Sequence, residues 1–310
     1  MRDAFVRQLS VLADSNPRIM LITGDLGFGV LTDFAKRFPK QYLNVGVAEQ
    51  NMTGVATGLA LEGRIIFTYS IGNFPTLRTL EQLRNGPCYH NLNVNVVSIG
   101  GGFSYGQLGF SHHATEDLAI MRSLPNTTVV APCDTWEVVE ATTALVQKEG
   151  VGYLRIDKSQ ASTSTASPQN FSLGKARVLR EGGDLTFISC GGILEEVLQA
   201  ATMLAARGME SRVISMHTIS QIDVDELRAA TSGGAPVFTV EEHVLPGGLG
   251  SAVAEVLVDR GIAPRIFYRF AIRGGFCSVV GEQKFLRRTC QLDGASIVEK
   301  VSALLGAASS

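Results

Sequence analysis

The chain has 310 residues, enough for two domains with cores of their own. Hydrophobic residues make up 45% and charged residues 18%, an apolar balance for a water-soluble chain that predicts extra surface buried against other subunits. Acidic and basic residues nearly cancel, 29 against 27 for a formal charge of −2, and no basic block occurs, so nothing points to nucleic acid. No apolar run reaches the ~18 residues of a membrane span, and charges are spread through the first residues. Neither a span nor a secretory leader is expected, and the cytoplasm is the default compartment. Five cysteines, Cys88, Cys133, Cys190, Cys277 and Cys290, are widely spaced without a CxxC pair, which argues against a disulfide framework and a zinc site.

In chain order, Phe5, Leu9 and Leu12 share one stripe of a helix over 4–13, and Asn16-Pro17 closes it before the apolar strand 19–23. Strands follow at 42–47, 65–70, 94–99 and 128–132, with helical patterns at 49–61, 77–86, 115–123 and 134–148 between them. Continuous apolar strands alternating with helices predict an α/β fold, a parallel sheet with helices on both faces. Residues 158–172 are rich in Ser, Thr, Gln and Pro and read as a linker. A second alternating series follows, with strands at 185–190, 211–216 and 236–242, helices at 194–207, 223–230 and 249–260, and a last helix near 293–305. Two α/β domains are therefore expected, 1–157 and 173–310, each on a parallel or mostly parallel sheet.

The stretch LNVGVAEQNM, residues 43–52, puts a carboxylate, Glu49, where a strand hands over to a helix. Gly54 and Gly58 lie one turn apart on that helix and would let another backbone approach closely. Their Gly-x-x-x-Gly spacing is not a membrane signal, because Glu49, Gln50, Asn51 and Glu62 accompany it. From spacing alone, Glu49 serves chemistry or merely sits well at the helix's positive end; both readings stand. His112 and His113 are the only adjacent histidines among five, but no third ligand lies at a supporting spacing, which argues against a metal site. His90, His217 and His243 have no comparable context.

LNVGVAEQNMTGVATGLALEG resembles the pyrimidine-binding domain of the transketolase family. GDL at 24–26, TLEQLRN at 79–85, GFSHHATEDLAIMRSLPNTTVVAPCD at 109–134 and TVEEHVLPGGLGSAVAEVL at 239–257 follow the same pattern in the same order. The resemblance implies thiamine diphosphate as cofactor, with Glu49 hydrogen-bonded to the N1′ atom of its aminopyrimidine. A proton shared there favours the imino tautomer, which can deprotonate the thiazolium carbon that attacks a ketose. An apolar pocket around such a carboxyl would help it hold that proton. Phe74 matches an aromatic that packs on the pyrimidine, and Ile71 falls where another aromatic is common, leaving it apolar packing. Asp25 and its neighbouring glycines are expected to line the cofactor cleft at the carboxyl end of a strand. His112 takes the place of a histidine that contacts substrate oxygens and moves protons; His113, where glutamine is common, ranks second. The resemblance marks the VEEH stretch, with His243, as structural.

Two departures from a complete transketolase stand out. The GDG motif that holds the diphosphate and Mg²⁺ is absent, so the chain resembles the carboxy-terminal subunit of a split transketolase. A partner subunit carrying the diphosphate-binding domain and most of the Mg²⁺ site is implied. A homodimer of this chain within a heterotetramer, with the active site between subunits, is the family expectation. The second departure concerns sugar phosphate, which the family grips with Arg, His and Ser. Here Arg2 is in place, Lys158 stands for Arg, Gly100 for His and Gly29 for Ser, and Leu108 replaces an aspartate that meets a substrate hydroxyl. The clamp is thinned, and a substrate other than ordinary pentose phosphates, such as a modified or nucleotide-linked sugar, is expected.

Three other readings compete. The beta subunit of a 2-oxo-acid dehydrogenase shares the plan and a similar glutamate, but the GDL, EQNM and SHHATED stretches fit transketolase better, and release of carbon dioxide from pyruvate separates the two. Deoxyxylulose phosphate synthase normally carries all three domains in one chain. A non-catalytic scaffold subunit is disfavoured by Glu49, Phe74 and His112 standing together.

Overall fold

The computed structural model describes residues 1–163 and 170–307, so 164–169 of the expected linker lie outside the described residues. From the amino terminus come α1 (Arg2–Ser15), β1 (Ile19–Thr23), α2 (Thr32–Arg37), β2 (Tyr42–Asn44), α3 (Glu49–Leu61), β3 (Ile65–Ile71), α4 (Leu80–Leu83), β4 (Val94–Ile99), α5 (Asp117–Arg122), β5 (Thr127–Val130), α6 (Thr135–Val146) and β6 (Val151–Ile156). The six strands form one parallel sheet in the order β2-β1-β3-β4-β6-β5. Both faces of β1 are buried, and its period-two side chains divide between them. Ile19 and Leu21 join Phe5 and Leu9 of α1 and Val138 of α6, whereas Met20 and Ile22 meet Met52, Ala56 and Ala60 of α3.

The second series is β7 (Arg177–Arg180), β8 (Leu185–Ser189), α7 (Leu194–Ala205), β9 (Ser211–Ser215), α8 (Val224–Ala230), β10 (Val237–Val244), α9 (Leu249–Asp259), β11 (Phe267–Ile272), α10 (Gln283–Thr289) and α11 (Gly294–Ala307). Its sheet runs β11-β10-β8-β9-β7, parallel except for antiparallel β7 at the edge. The two halves share a core in which Val96, Val129 and Tyr153 of the first sheet and Leu118 and Met121 of α5 pack with Ile188 and Ile214 of the second sheet and Leu249 of α9. Among the described residues, no helix is long and apolar enough to cross a membrane.

The helix expected at 77–86 is instead a 3₁₀ turn over Leu77–Thr79, the single turn α4 and a π turn over Arg84–Cys88. Pro87 lacks the N–H a regular helix needs there, and a Cβ on Gly86 would stand 2.7 Å from Thr57 Oγ1 of α3. The strand expected at 42–47 stops at Asn44, because Gly46 turns the chain with φ of 76°. Sequence reasoning missed α2, β6, β7, β11 and α10.

Candidate active site

The expected site residues gather at the carboxyl ends of the first sheet's strands, where α/β folds place ligands. Glu49 opens α3 and is 6% exposed. The small residues N-terminal to it let the turn after β1 approach closely, and a Cβ on Gly24 would lie 3.2 Å from the Gly46 carbonyl. The wall beside Glu49 is not purely apolar. Arg78 Nη1 donates to Glu49 Oε1 at 3.1 Å, so a cation faces the carboxylate where the sequence suggested an apolar pocket. Glu49 Oε2 takes no hydrogen bond among the described residues.

Arg78 reaches two further expected residues. Its guanidinium lies 4.0 Å from the centre of the Phe74 ring, a cation–π contact. Phe74 in turn meets the His112 ring edge-on, with centres 5.3 Å apart. Phe74 and Arg78 line a cavity of about 440 Å³ together with Leu77, Phe110, His113 and Phe276, the last from the second half of the chain. Ile71 ends β3 half-buried, three residues before Phe74. His112 is half-buried, with Nδ1 3.0 Å from Ser111 Oγ. Burial, then the Arg78 charge, then His113 hold its pKa below the ordinary 6.5, which leaves it neutral at pH 7 and able to accept or donate a proton.

His113 is 4% exposed, packs edge-on against Phe103 with ring centres 5.1 Å apart, and places Nε2 3.3 Å from the Gly106 carbonyl oxygen. It supports the loop from the core side while bordering the cavity. Asp25, with φ of 59°, accepts from Asn44 Nδ2 at 3.0 Å and donates its N–H to Asn44 Oδ1 at 2.9 Å. Its carboxylate thus ties β1 to β2 at the edge of the cleft. Leu108 is 57% exposed on a 3₁₀ turn.

Arg2 pairs with its neighbour Asp3 at 2.9 Å and lines a second hollow with Gly29. Lys158 Nζ stands 3.9 Å from the centre of the Tyr105 ring, and that ring is 6.4 Å from His112. Contacts therefore run unbroken from Glu49 through Arg78, Phe74, His112 and Tyr105 to Lys158. Arg78 and Tyr105 were not foreseen. Neither had a local signal: Phe74 lies outside the helix expected over 77–86, so its spacing to Arg78 implied no contact, and a loop folds Tyr105 over Gly100.

The loop carrying these groups is anchored from the second half. Glu242 Oε1 accepts from the Phe103 N–H at 2.5 Å, and its Oε2 accepts from Arg287 Nε at 2.5 Å. The neighbouring Glu241 accepts from the N–H groups of Leu249 and Gly250 at 2.7 and 2.8 Å, capping α9.

Comparison with known proteins places this arrangement. The transketolase pyrimidine binding domain matches residues 1–163 and the transketolase C-terminal domain residues 174–266. The 6-deoxy-6-sulfo-D-fructose transketolase subunit SqwH of Clostridium sp. (strain MSTE9) is 35% identical over 96% of this chain and 92% of its own. One of the subunits of the apulose-4-phosphate transketolase of Phocaeicola vulgatus is 35% identical over 86% of each chain. A solved structure of a split gene transketolase, an inactive beta4 tetramer, superposes with a TM-score of 0.86 at 35% identity over 97% of this chain and 96% of that one. Matched over nearly its whole length in sequence and in fold, the chain belongs to the transketolase family.

Proposed function

We propose that the chain is the carboxy-terminal subunit of a split, thiamine diphosphate-dependent transketolase that moves a two-carbon ketol unit from a ketose to an aldehyde acceptor. The observation that carries this is Glu49, buried at a helix start with Oε1 held by Arg78 and Oε2 free, in contact through Arg78 and Phe74 with the neutral His112. These residues fit the aminopyrimidine end of thiamine diphosphate, because Arg78 joins Glu49, with its free carboxylate oxygen, to the aromatic face of Phe74, and Phe74 and Arg78 border a cavity of about 440 Å³. When bound, that cofactor supplies the nucleophilic thiazolium carbon.

The chain's own residues do the rest. Glu49 Oε2 shares a proton with the ring nitrogen, while the Arg78 contact fixes the carboxylate plane. Phe74 packs the ring, and Ile71 with the Asp25 turn closes the cleft's edge. His112, with His113 behind it, hands protons to and from substrate oxygens. Arg2 and Lys158 face the substrate's far end, with Leu108 at the rim. The two relatives act, by their names, on a phosphorylated and a sulfo-sugar. A substrate other than ordinary pentose phosphates fits the glycines at 29 and 100, and a modified or nucleotide-linked sugar remains within this reading because a Cβ on Gly29 would meet open space.

The sequence divides into a pyrimidine-binding unit over 1–157, a connection over 158–172 and a C-terminal unit over 173–310. The diphosphate and Mg²⁺ belong to a partner subunit, since the GDG motif is missing here. Among the described residues, no group of three His, Cys, Asp or Glu side chains is placed to hold a metal. The assembly is a cytoplasmic heterotetramer built on a homodimer of this chain.

Calorimetry with thiamine diphosphate and Mg²⁺ tests the proposal. Binding is expected with the partner present and not with this chain alone, and Glu49→Ala is expected to abolish ketol transfer by the complex. Tight binding by the chain alone would put the diphosphate site here. No binding in either case would favour a scaffold subunit, and carbon dioxide release from pyruvate would favour the 2-oxo-acid dehydrogenase reading.

A further inference from the structure

Asn73 stands between the end of β3 and Phe74, and its side chain reaches the loop that carries His112. Gly72, just before it, lets the two segments close on each other: a Cβ there would lie 2.9 Å from the Ala114 Cβ and 3.3 Å from the Gly100 carbonyl oxygen. Asn73 is 8% exposed and borders the same cavity as Phe74 and Arg78. Its Nδ2 donates to the His113 carbonyl at 2.8 Å and to the Ser111 carbonyl at 3.2 Å. Only the NH₂ end of an amide can face two carbonyl oxygens at once, so these partners fix which way the carboxamide points.

The two carbonyls flank His112. That histidine ends a 3₁₀ turn of three residues, Phe110–His112, entered at Gly109 with φ of 78°. So short a turn has few hydrogen bonds of its own and poorer geometry than an α-helix, and Phe110 and Ser111 are exposed. Beyond it, Gly102 and Ala114 exchange backbone bonds of 2.7 and 3.0 Å, which hold the exit of the turn. Asn73 supplies the hold at the histidine itself. The next residue, Phe74, meets the His112 ring edge-on with centres 5.3 Å apart. One dipeptide therefore grips His112 twice, by its main chain through Asn73 and by its ring through Phe74.

We propose that Asn73 is a positioning residue: by clamping the carbonyls on either side of His112, it sets the imidazole's place against Phe74 and hence its reach to the substrate oxygens. This rests on the ketol-transfer reading of the site and deepens it. The amide carries no titrating proton, so Asn73 acts through His112. Proton transfer needs hydrogen-bond reach, and a misplacement of about 1 Å can cost on the order of a hundredfold in rate.

Asn73→Leu keeps a similar volume but donates nothing. In the reconstituted complex of this chain and its partner, with thiamine diphosphate and Mg²⁺, it is expected to lower kcat by about ten- to a hundredfold, with KM for the ketose donor within about twofold. In the full chain, the His112 titration is held below 6.5 by burial and then by Arg78 and His113. It is expected to rise toward 6.5 in the variant, as the released ring loses burial, read from its ring proton shifts by NMR.

Thr79→Val separates positioning from stability. It removes a buried hydrogen bond of the neighbouring turn, from Thr79 Oγ1 to the Pro75 carbonyl at 2.8 Å. Like Asn73→Leu it is expected to lower the thermal midpoint, but to leave kcat and the His112 titration unchanged. An unchanged kcat in Asn73→Leu, or an equal fall in Thr79→Val, would overturn the proposal. A wild-type complex that transfers no ketol unit from any donor, in a chain whose His112 titration still shifts with Asn73→Leu and not with Thr79→Val, would defeat the reaction assigned above and leave the clamp on His112 standing.

Discussion

Glu49 enters the site with one carboxylate oxygen already committed, and the strength of that commitment decides what it is for. The Arg78 guanidinium is 51% exposed while Glu49 is 6% exposed. A pair with so open a partner contributes on the order of 1 kcal/mol or less to folding. Its effect is orientation: Oε1 is directed at Arg78, leaving Oε2 toward the cleft. The same cation acts on His112, whose pKa is held below 6.5 first by burial and then by Arg78. Arg78→Met is therefore expected to move the His112 titration upward toward 6.5 while leaving it below that value, read from its ring proton shifts by NMR. An unmoved titration would mean that burial and His113 set it without Arg78. The acid, the aromatic and the histidine of this chain were legible because each stands in a motif that a strand end delivers to one place. What links them was not legible. Arg78 depends on a turn of helix placing it over Phe74, and Tyr105 on a loop returning to Gly100; neither return path is written in a local pattern.

At the scale of elements, reading failed where charge interrupts an apolar run. β6 (VGYLRI) is an interior strand, yet it contains Arg155, 3% exposed. The arginine is tolerated because Nη2 donates to the Glu242 carbonyl at 2.9 Å and Asp117 and Asp157 stand within 3.7 and 3.4 Å. β7 (RVLR) and β11 (FYRFAI) hide their period in the same way. The helix expected at 223–230 is α8, which begins after Asp223, whose side chain accepts from the Glu226 N–H. Burial pushes the Asp223 carboxyl up, but the Ala176 and Glu226 N–H groups and the Lys175 ammonium outweigh it, so its pKa lies below 3.8. Because the folded value is the lower one, the unfolded chain binds more protons between the two values. The cap's contribution is complete above 3.8 and is lost as pH falls through the folded pKa. Asp223→Ala is expected to cost about 1 kcal/mol at neutral pH and to lose that deficit against wild type under acid, measured by urea unfolding across pH. A deficit constant down to the lowest pH would show that the carboxylate charge plays no part.

At the scale of the whole molecule, one face of α3 has no neighbour among the described residues. α3 buries Met52, Thr53, Ala56 and Ala60 against its own sheet, while Gly54 and Gly58 are exposed and a Cβ on either would meet nothing within 4 Å. Val47 and Leu61, at the two ends of the same segment, are 74% and 57% exposed. The close backbone approach expected of these glycines therefore does not occur among the described residues. In the proposed assembly it falls to another subunit, which also gives the apolar composition a use. The two scales then demand opposite outcomes from one substitution. In the isolated chain, Gly54→Leu replaces an exposed helical glycine by a strong helix former and is expected to stabilise by up to about 1 kcal/mol. In the assembly, the new side chain stands where a backbone must pass, and overpacking of about 1–3 kcal/mol weakens association by roughly one to two orders of magnitude. Thermal unfolding at low protein concentration and sedimentation across a concentration series measure the two effects separately. A variant that is more stable as a chain and weaker as an assembly places α3 at a subunit contact; one whose association is unchanged places that contact elsewhere.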